Sequence, residues 1–322
     1  MTDEQRMLTD MAGELFASLG SGTDIDRDWP RVAEVALTGL LLPEDAGGFG
    51  GSWEDALIVF RLAGNQALAL PVVESIVAAH VAQRHEGRGT IASISEGALD
   101  GDLFTGIVHG ACHATGADYV VAPGPDGGSI VIDTGHVAIE GHENVAGEAR
   151  ERLVCDGAKV EIKPNDVFAL GALARVAQIA GALDAALEKS VDYANERNQF
   201  GRALAKFQAV QQNLATFACE AASANCAAMG AAQAMARGSA PFEIAAAKLR
   251  ANRAVGVGTA LAHQVHGAIG FTEEFSLHPL TRRLWAWRSE FGNDSHWSAR
   301  LGQSIVDRGA DNFWADLTAH DE

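Results

Sequence analysis

Basic residues are in short supply in this chain. Its 24 Lys and Arg are outnumbered by 42 Asp and Glu, for a formal net charge of −18, so no cationic stripe exists to neutralise the phosphates of a nucleic acid. Cysteine is scarce too. Cys112, Cys155, Cys219 and Cys226 include no C-x-x-C pair and no flanking His pair suited to zinc, which excludes a disulfide scaffold and predicts reduced, buried thiols in a cytoplasmic protein. The longest apolar runs, such as 35–42 and 76–81, fall far short of the ~20 residues of a membrane span. The acidic start Met1-Thr2-Asp3-Glu4 lacks the apolar core of a secretion signal. A soluble, cytoplasmic protein without nucleic-acid or membrane partners is therefore expected. There is no G-x-G-x-x-G, so a nicotinamide Rossmann enzyme has no support.

What is present is core. Hydrophobic residues make up 48% and charged residues 20% of 322 positions, enough for a sizeable globular interior. Residues 1–87 read as a helical domain: Leu8, Met11, Leu15 and Leu19 recur at helical spacing up to Gly20-Ser21-Gly22, with further helices over 29–40 and 55–70 around the loop 43–51. Residues 88–163 change texture. Short Val/Ile/Thr-rich runs at 90–95, 106–109, 119–122, 129–133 and 153–162 alternate with Gly, Asp and Pro clusters, the pattern of a small antiparallel β lobe. Residues 164–322 are helical again. Helices are expected over 168–195, 203–237, 241–265 and 294–308, with Leu173, Val176, Ala180, Leu183 and Leu187 on one face of the first. The fold class is mainly α with a small β lobe, closing in a helix bundle.

Two clusters can carry chemistry. In Asn195-Glu196-Arg197-Asn198-Gln199-Phe200-Gly201-Arg202, between two long helices, Arg197 and Arg202 offer donor forks, Gln199 an amide, Phe200 a flat face and Gly201 a turn free of Cβ. Such a junction can hold a phosphate-bearing aromatic cofactor, or it is a solvated turn. In His263-Gln264-Val265-His266-Gly267-Ala268-Ile269-Gly270-Phe271 the small residues permit close approach of a ligand and Gln264 can bond a heterocycle; equally, Gly267 is a helix C-cap. His263 and His266 lack a carboxylate or Cys one turn away, so no metal is expected.

In combination these segments resemble the acyl-CoA dehydrogenase family. Arg197-x-Gln199-Phe200-Gly201 is followed by Phe207-Gln208 and, about sixty residues on, by the 264–271 motif; residues 40–50 resemble the family's N-terminal loop, and Thr105-Gly106 with 117–121 its middle domain. The resemblance implies an N-terminal helical domain, a β-barrel domain and a C-terminal four-helix bundle around FAD. It also implies that Arg197 meets the FAD pyrophosphate, Gln199 and Phe200 the adenosine half, Gln208 supports that contact, and Gln264, Gly267 and Ala268 approach the cofactor held by a neighbouring subunit.

Two departures matter. The β-domain segment that clasps flavin in the family is shortened here to residues 93–100, with no Trp between Trp53 and Trp285. The family's base, a Glu before Gly about twenty residues past the Gly-Phe pair, falls by count on Phe291-Gly292. Glu290 is one residue off, which on a helix end redirects a side chain by roughly a hundred degrees. The family's other base position, near the start of the first C-terminal helix, reads Gly171-Ala172-Leu173-Ala174-Arg175 without an acid. The chain thus resembles the smaller, Glu-less subunits of α2β2 acyl-CoA dehydrogenases acting on steroid-derived CoA thioesters. That implies no catalytic residue here, a larger partner subunit that supplies the Glu, an acyl-CoA substrate and an electron-transfer flavoprotein as acceptor. The alternative is a complete homo-oligomeric enzyme using Glu290 as base.

Overall fold

The computed structural model describes residues 1–19 and 24–319; the helix end expected at Gly20-Ser21-Gly22 lies outside them. Four helices come first: α1 (Asp3–Leu19), α2 (Ile25–Glu34), α3 (Trp53–Asn65) and α4 (Val72–Ala82). Their starts follow local chemistry. Asp24 caps α2 by accepting from the Arg27 amide, and Ser52 with Asp55 forms a reciprocal capping box on α3. The helix expected over 29–40 stops at Glu34, because Ala36 turns left-handed (φ 50°) and lets Leu40, Leu41 and Leu42 bury. The helix expected over 55–70 ends at Asn65 for a similar reason, with Ala67 at φ 49°. Helix α4 carries no periodic signal since it is buried on nearly every side.

Seven strands follow: β1 (Gly89–Ile91), β2 (Ile94–Asp100), β3 (Leu103–Cys112), β4 (Tyr119–Pro123), β5 (Ser129–Asp133), β6 (Ala138–Glu140) and β7 (Arg150–Lys163). They form one curled sheet in the order β1-β4-β5-β7-β3-β2, with β6 also on β7. The long β7 bends the sheet by pairing with β3 over 150–159 and with β5 over 160–163, and bulges near Phe104 and Val108 add curvature. Only β1–β4 is parallel. Phe104, Val108, Val120, Ile132 and Leu153 fill its separate small core.

The remainder is α5 (Val167–Glu196), the hairpin β8 (Asn198–Gln199) and β9 (Arg202–Ala203), α6 (Gln208–Ala236), α7 (Pro241–His266), α8 (His278–Ser289), α9 (Asp294–Arg308) and α10 (Phe313–Ala319). The helix expected over 203–237 thus starts only at Gln208, since Ala203 belongs to the hairpin and 204–206 to a 3-10 turn, and α8 is additional. Helix α5 is the axis, packed by α3, α6, α7 and α8. Each large apolar side chain it buries contributes about 1.5–3 kcal/mol. Where α3 crosses α5, a Cβ at Gly64 or Gly181 would collide with the carbonyl of Gln178 or Arg61, so glycine sets that separation. Among the described residues α5 alone is long and apolar enough to cross a membrane, and 83% of its apolar window is buried inside the protein. Against expectation, Cys219 and Cys226 are exposed on α6, whereas Cys112 and Cys155 are buried.

Candidate functional site

At the position where the resemblance would place a base, the structure has a ring. Phe291 follows the C-terminus of α8 with φ 51° and is 1% exposed. Its ring lies so close to Gly171 of α5 that a Cβ there would collide with it. Trp297 fixes the turn by donating from Nε1 to the Phe291 carbonyl at 3.0 Å. Phe168 stands edge-on to the ring.

Beside Phe291, Glu290 belongs to a buried array of three guanidiniums and three carboxylates: Arg150, Arg175 and Arg283 with Glu74, Glu148 and Glu290. Its Oε1 accepts from Arg150 Nε at 2.7 Å and Asn144 Nδ2 at 2.9 Å; its Oε2 accepts from Arg175 Nε at 2.7 Å. Arg175, fully buried, also donates to Glu74 at 2.6 Å, and Glu148 takes Arg283 and Arg150. Burial alone would push the Glu290 carboxyl up, but the charges of Arg150 and Arg175 overcome it and hold the group far below the usual carboxylate range. Such a carboxylate has both oxygens engaged and little basicity, the opposite of a general base. The array joins α4, the β lobe, α5 and α8, so it staples all three parts of the chain.

Sequence reasoning passed over two of its neighbours. Arg175 interrupts an apolar helix, a visible signal of a buried charge. Lys248, fully buried on α7, donates to the carbonyls of Trp287 (3.0 Å), Arg288 (3.2 Å) and Gly292 (3.1 Å) and to Asn252 Oδ1 (2.7 Å). It thereby ties down the turn that carries Glu290 and Phe291. Burial brings its ammonium down to about 7.

The motif residues lie elsewhere, at one end of the bundle. Arg197 ends α5; the β8–β9 hairpin turns at Phe200 (φ 53°) and Gly201 (φ 80°), the two positive-φ positions of a type I′ turn, where phenylalanine is costly. Phe200 is nonetheless 91% exposed. Gln208 opens α6, Gln264 sits in the last turn of α7, and Gly267 is its C-cap at φ 64°, followed by Ala268. Arg197, Gln199, Phe200, Gln208, Gln264, Gly267 and Ala268 are all solvent-exposed. Tyr193, one turn before Arg197, stacks on His266 with centroids 4.7 Å apart, which draws the two motifs together. Beside Gln264, a groove of about 720 Å³ opens between α7 and α8.

An exposed guanidinium, three exposed amides and a bare aromatic face thus gather at one end of a helix–sheet–helix frame, beside a groove with aromatic walls. The C-terminal domain of acyl-CoA dehydrogenases matches residues 164–295. FadE34 of Mycobacterium tuberculosis, an acyl-CoA dehydrogenase, is 30% identical over 84% of this chain; the match spans only 41% of that relative's length. Among solved structures, the Tcur3481-Tcur3483 steroid ACAD superposes with a TM-score of 0.87 at 22% identity, over 95% of this chain and 98% of that one. The ChsE4-ChsE5 complex from Mycobacterium tuberculosis gives 0.85 at 20% identity, over 96% and 99%. Residues 164–295 thus carry a C-terminal domain of the acyl-CoA dehydrogenase family, whose cofactor is FAD, and the chain as a whole shares the fold of such enzymes. The donor set fits the nucleotide half of that cofactor in its chemistry: the Arg197 guanidinium suits a pyrophosphate, and the exposed amides of Gln199, Gln208 and Gln264 suit sugar and base.

Proposed function

We propose that this chain is the base-less subunit of an FAD-dependent dehydrogenase that introduces an α,β double bond into a steroid-derived CoA thioester. The observation that carries this reading is the pair at the base position: Phe291 is packed against Gly171, and Glu290 is locked between Arg150 and Arg175. The second reading, a homo-oligomer with Glu290 as base, needs that carboxylate to leave two guanidiniums in a buried array.

FAD, when bound, supplies the hydride acceptor. On this reading the residues here bind and orient. Arg197 pairs with the pyrophosphate, Gln199 and Phe200 cover the adenosine half, Gln208 supports them, and Gln264 with the backbone at Gly267 and Ala268 closes the other side. The larger partner of an α2β2 assembly brings the glutamate that takes the α-proton and the β domain that clasps the isoalloxazine. An electron-transfer flavoprotein reoxidises the pair. Three facts support the division: each of the seven residues assigned to the cofactor is exposed, as a half-site awaiting another surface requires; a relative carries more than half its length outside the match; and a similar chain occurs in the ChsE4-ChsE5 complex. The test is co-expression with candidate dehydrogenase chains and measurement of flavin per protein. Stoichiometric FAD on a homo-oligomer of this chain would refute the half-site.

A further inference from the structure

A second cavity lies where the N-terminal helices meet the β lobe. It holds about 500 Å³, and none of its lining residues comes from α5–α10; a small metabolite fits such a volume. One wall is a face of α2 with Trp29, Pro30 and Ala33, and the other includes Arg88, just before β1, and the loop leading into β4. Arg88 is only 8% exposed. Its Nε donates to the Gly116 carbonyl at 3.0 Å and its Nη2 to the Thr115 carbonyl at 2.7 Å, while Nη1 has no partner. The loop is built around this group: Gly116 has φ 77°, and a Cβ there would stand 2.7 Å from Nη2. The other buried arginines, Arg175 and Arg283, each hold a carboxylate. Arg88 holds only neutral carbonyls. Burial pulls its guanidinium below the ordinary value, and the charges of Asp118, Asp26 and Glu151 offset this only in part. A buried cation without a counter-ion is costly, and an anion entering beside it lowers that cost.

We infer that this cavity is a binding site for a small monocarboxylic acid with an apolar body, its carboxylate on Arg88 Nη1 and its body along Trp29, Pro30 and Ala33. One carboxylate supplies the missing counter-charge and matches the geometry of a guanidinium fork. A phosphate monoester, close to doubly charged at neutral pH, meets repulsion from Asp26 and Asp118, which also line the cavity and are exposed. The site shares no residue with those assigned to the cofactor, so it stands or falls independently of the half-site. A bound acid bridges α2 and the β lobe, and its occupancy stabilises the folded chain by mass action.

The full chain is titrated by calorimetry with benzoate, with benzamide, its uncharged counterpart, and with inorganic phosphate. Benzoate should bind at least about tenfold tighter than either, as a charge-assisted contact requires, and should raise Tm with its concentration. Arg88→Met should weaken benzoate by about tenfold or more. So should Ala33→Trp, which fills the cavity from α2 and leaves the guanidinium in place. Phosphate binding as tight as benzoate, an Ala33→Trp chain that binds benzoate like wild type, or no benzoate binding at millimolar concentration overturns the site. Because Arg88→Met can misfold, the unaltered chain is also photolabelled with 4-azidobenzoate. Label on the peptides bearing Trp29 or Arg88 supports the assignment; label confined to other segments overturns it.

Discussion

Replacing Glu290 with glutamine takes one negative charge from an array in which three cations face three anions inside the protein. Arg150 and Arg175 each lose their 2.7 Å partner, and neither can move into water, since Arg175 is fully buried and only 9% of the Arg150 side chain is exposed. Breaking a buried pair by removing one member costs about 3–5 kcal/mol, most of it the uncompensated charge left behind. Unfolding entropy of ~2.1 cal/mol/K per residue over 322 residues converts this to a fall in Tm of about 4–7 °C. Acid should narrow the gap. The folded carboxyl is held far below its unfolded value, so its stabilisation is complete above the ordinary carboxylate range and is lost as pH falls through the folded value. Wild type and variant should therefore converge toward low pH in thermal melts followed by circular dichroism. Turnover of the assembled complex, read as bleaching of flavin absorbance by acyl-CoA, should fall less than about tenfold, whereas removal of a true general base costs about 10²–10⁴. A Glu290→Gln protein that melts like wild type, holds its FAD and is dead would refute the reasoning and restore Glu290 as the base.

The lone chain should purify colourless, and the complex should carry about one FAD per pair, measured by flavin absorbance against protein. Arg197→Ala should raise the Kd for FAD roughly ten- to a hundredfold, as expected for a charge-assisted phosphate contact of ~1.5–3 kcal/mol, with the Tm of the lone chain unmoved because the side chain is exposed. Lys248 has a pH signature of the same sign as Glu290, in a higher window. Its folded value of about 7 lies below its ordinary 10.5, so between these the unfolded chain binds more protons and stability rises with pH, by up to ~1.4 kcal/mol per unit. In denaturant titrations at a series of pH values, Lys248→Met should flatten that rise, and an unchanged slope would exclude Lys248 as its source.

Much of the frame was readable in one dimension. The axis helix announced itself through Leu173, Val176, Ala180, Leu183 and Leu187, because a helix packed on several sides still needs apolar residues at helical spacing. The strand 129–133 was located to the residue, since alternating Val and Ile between glycine turns leaves few options. Helix α4 was lost for the converse reason: buried all round, it has no polar face to give it a period. The hairpin at 198–203 was hidden because Phe200 occupies a left-handed position that local preference assigns to glycine or asparagine. The motifs around Arg197 and Gln264 were legible as residue types at fixed spacing, and so was the absence of a glutamate before Gly292. What Glu290 does was not. Its neighbours in sequence, Ser289 and Phe291, say nothing of charge. Arg150 comes from a strand 140 positions away and Arg175 from a helix 115 away. Spacing along the chain determined where a base would have to stand. Only the folding of β7 and α5 against the end of α8 decided that Glu290 is bound as a staple, because the strength of a buried charge depends on what the tertiary structure places within hydrogen-bonding distance of it.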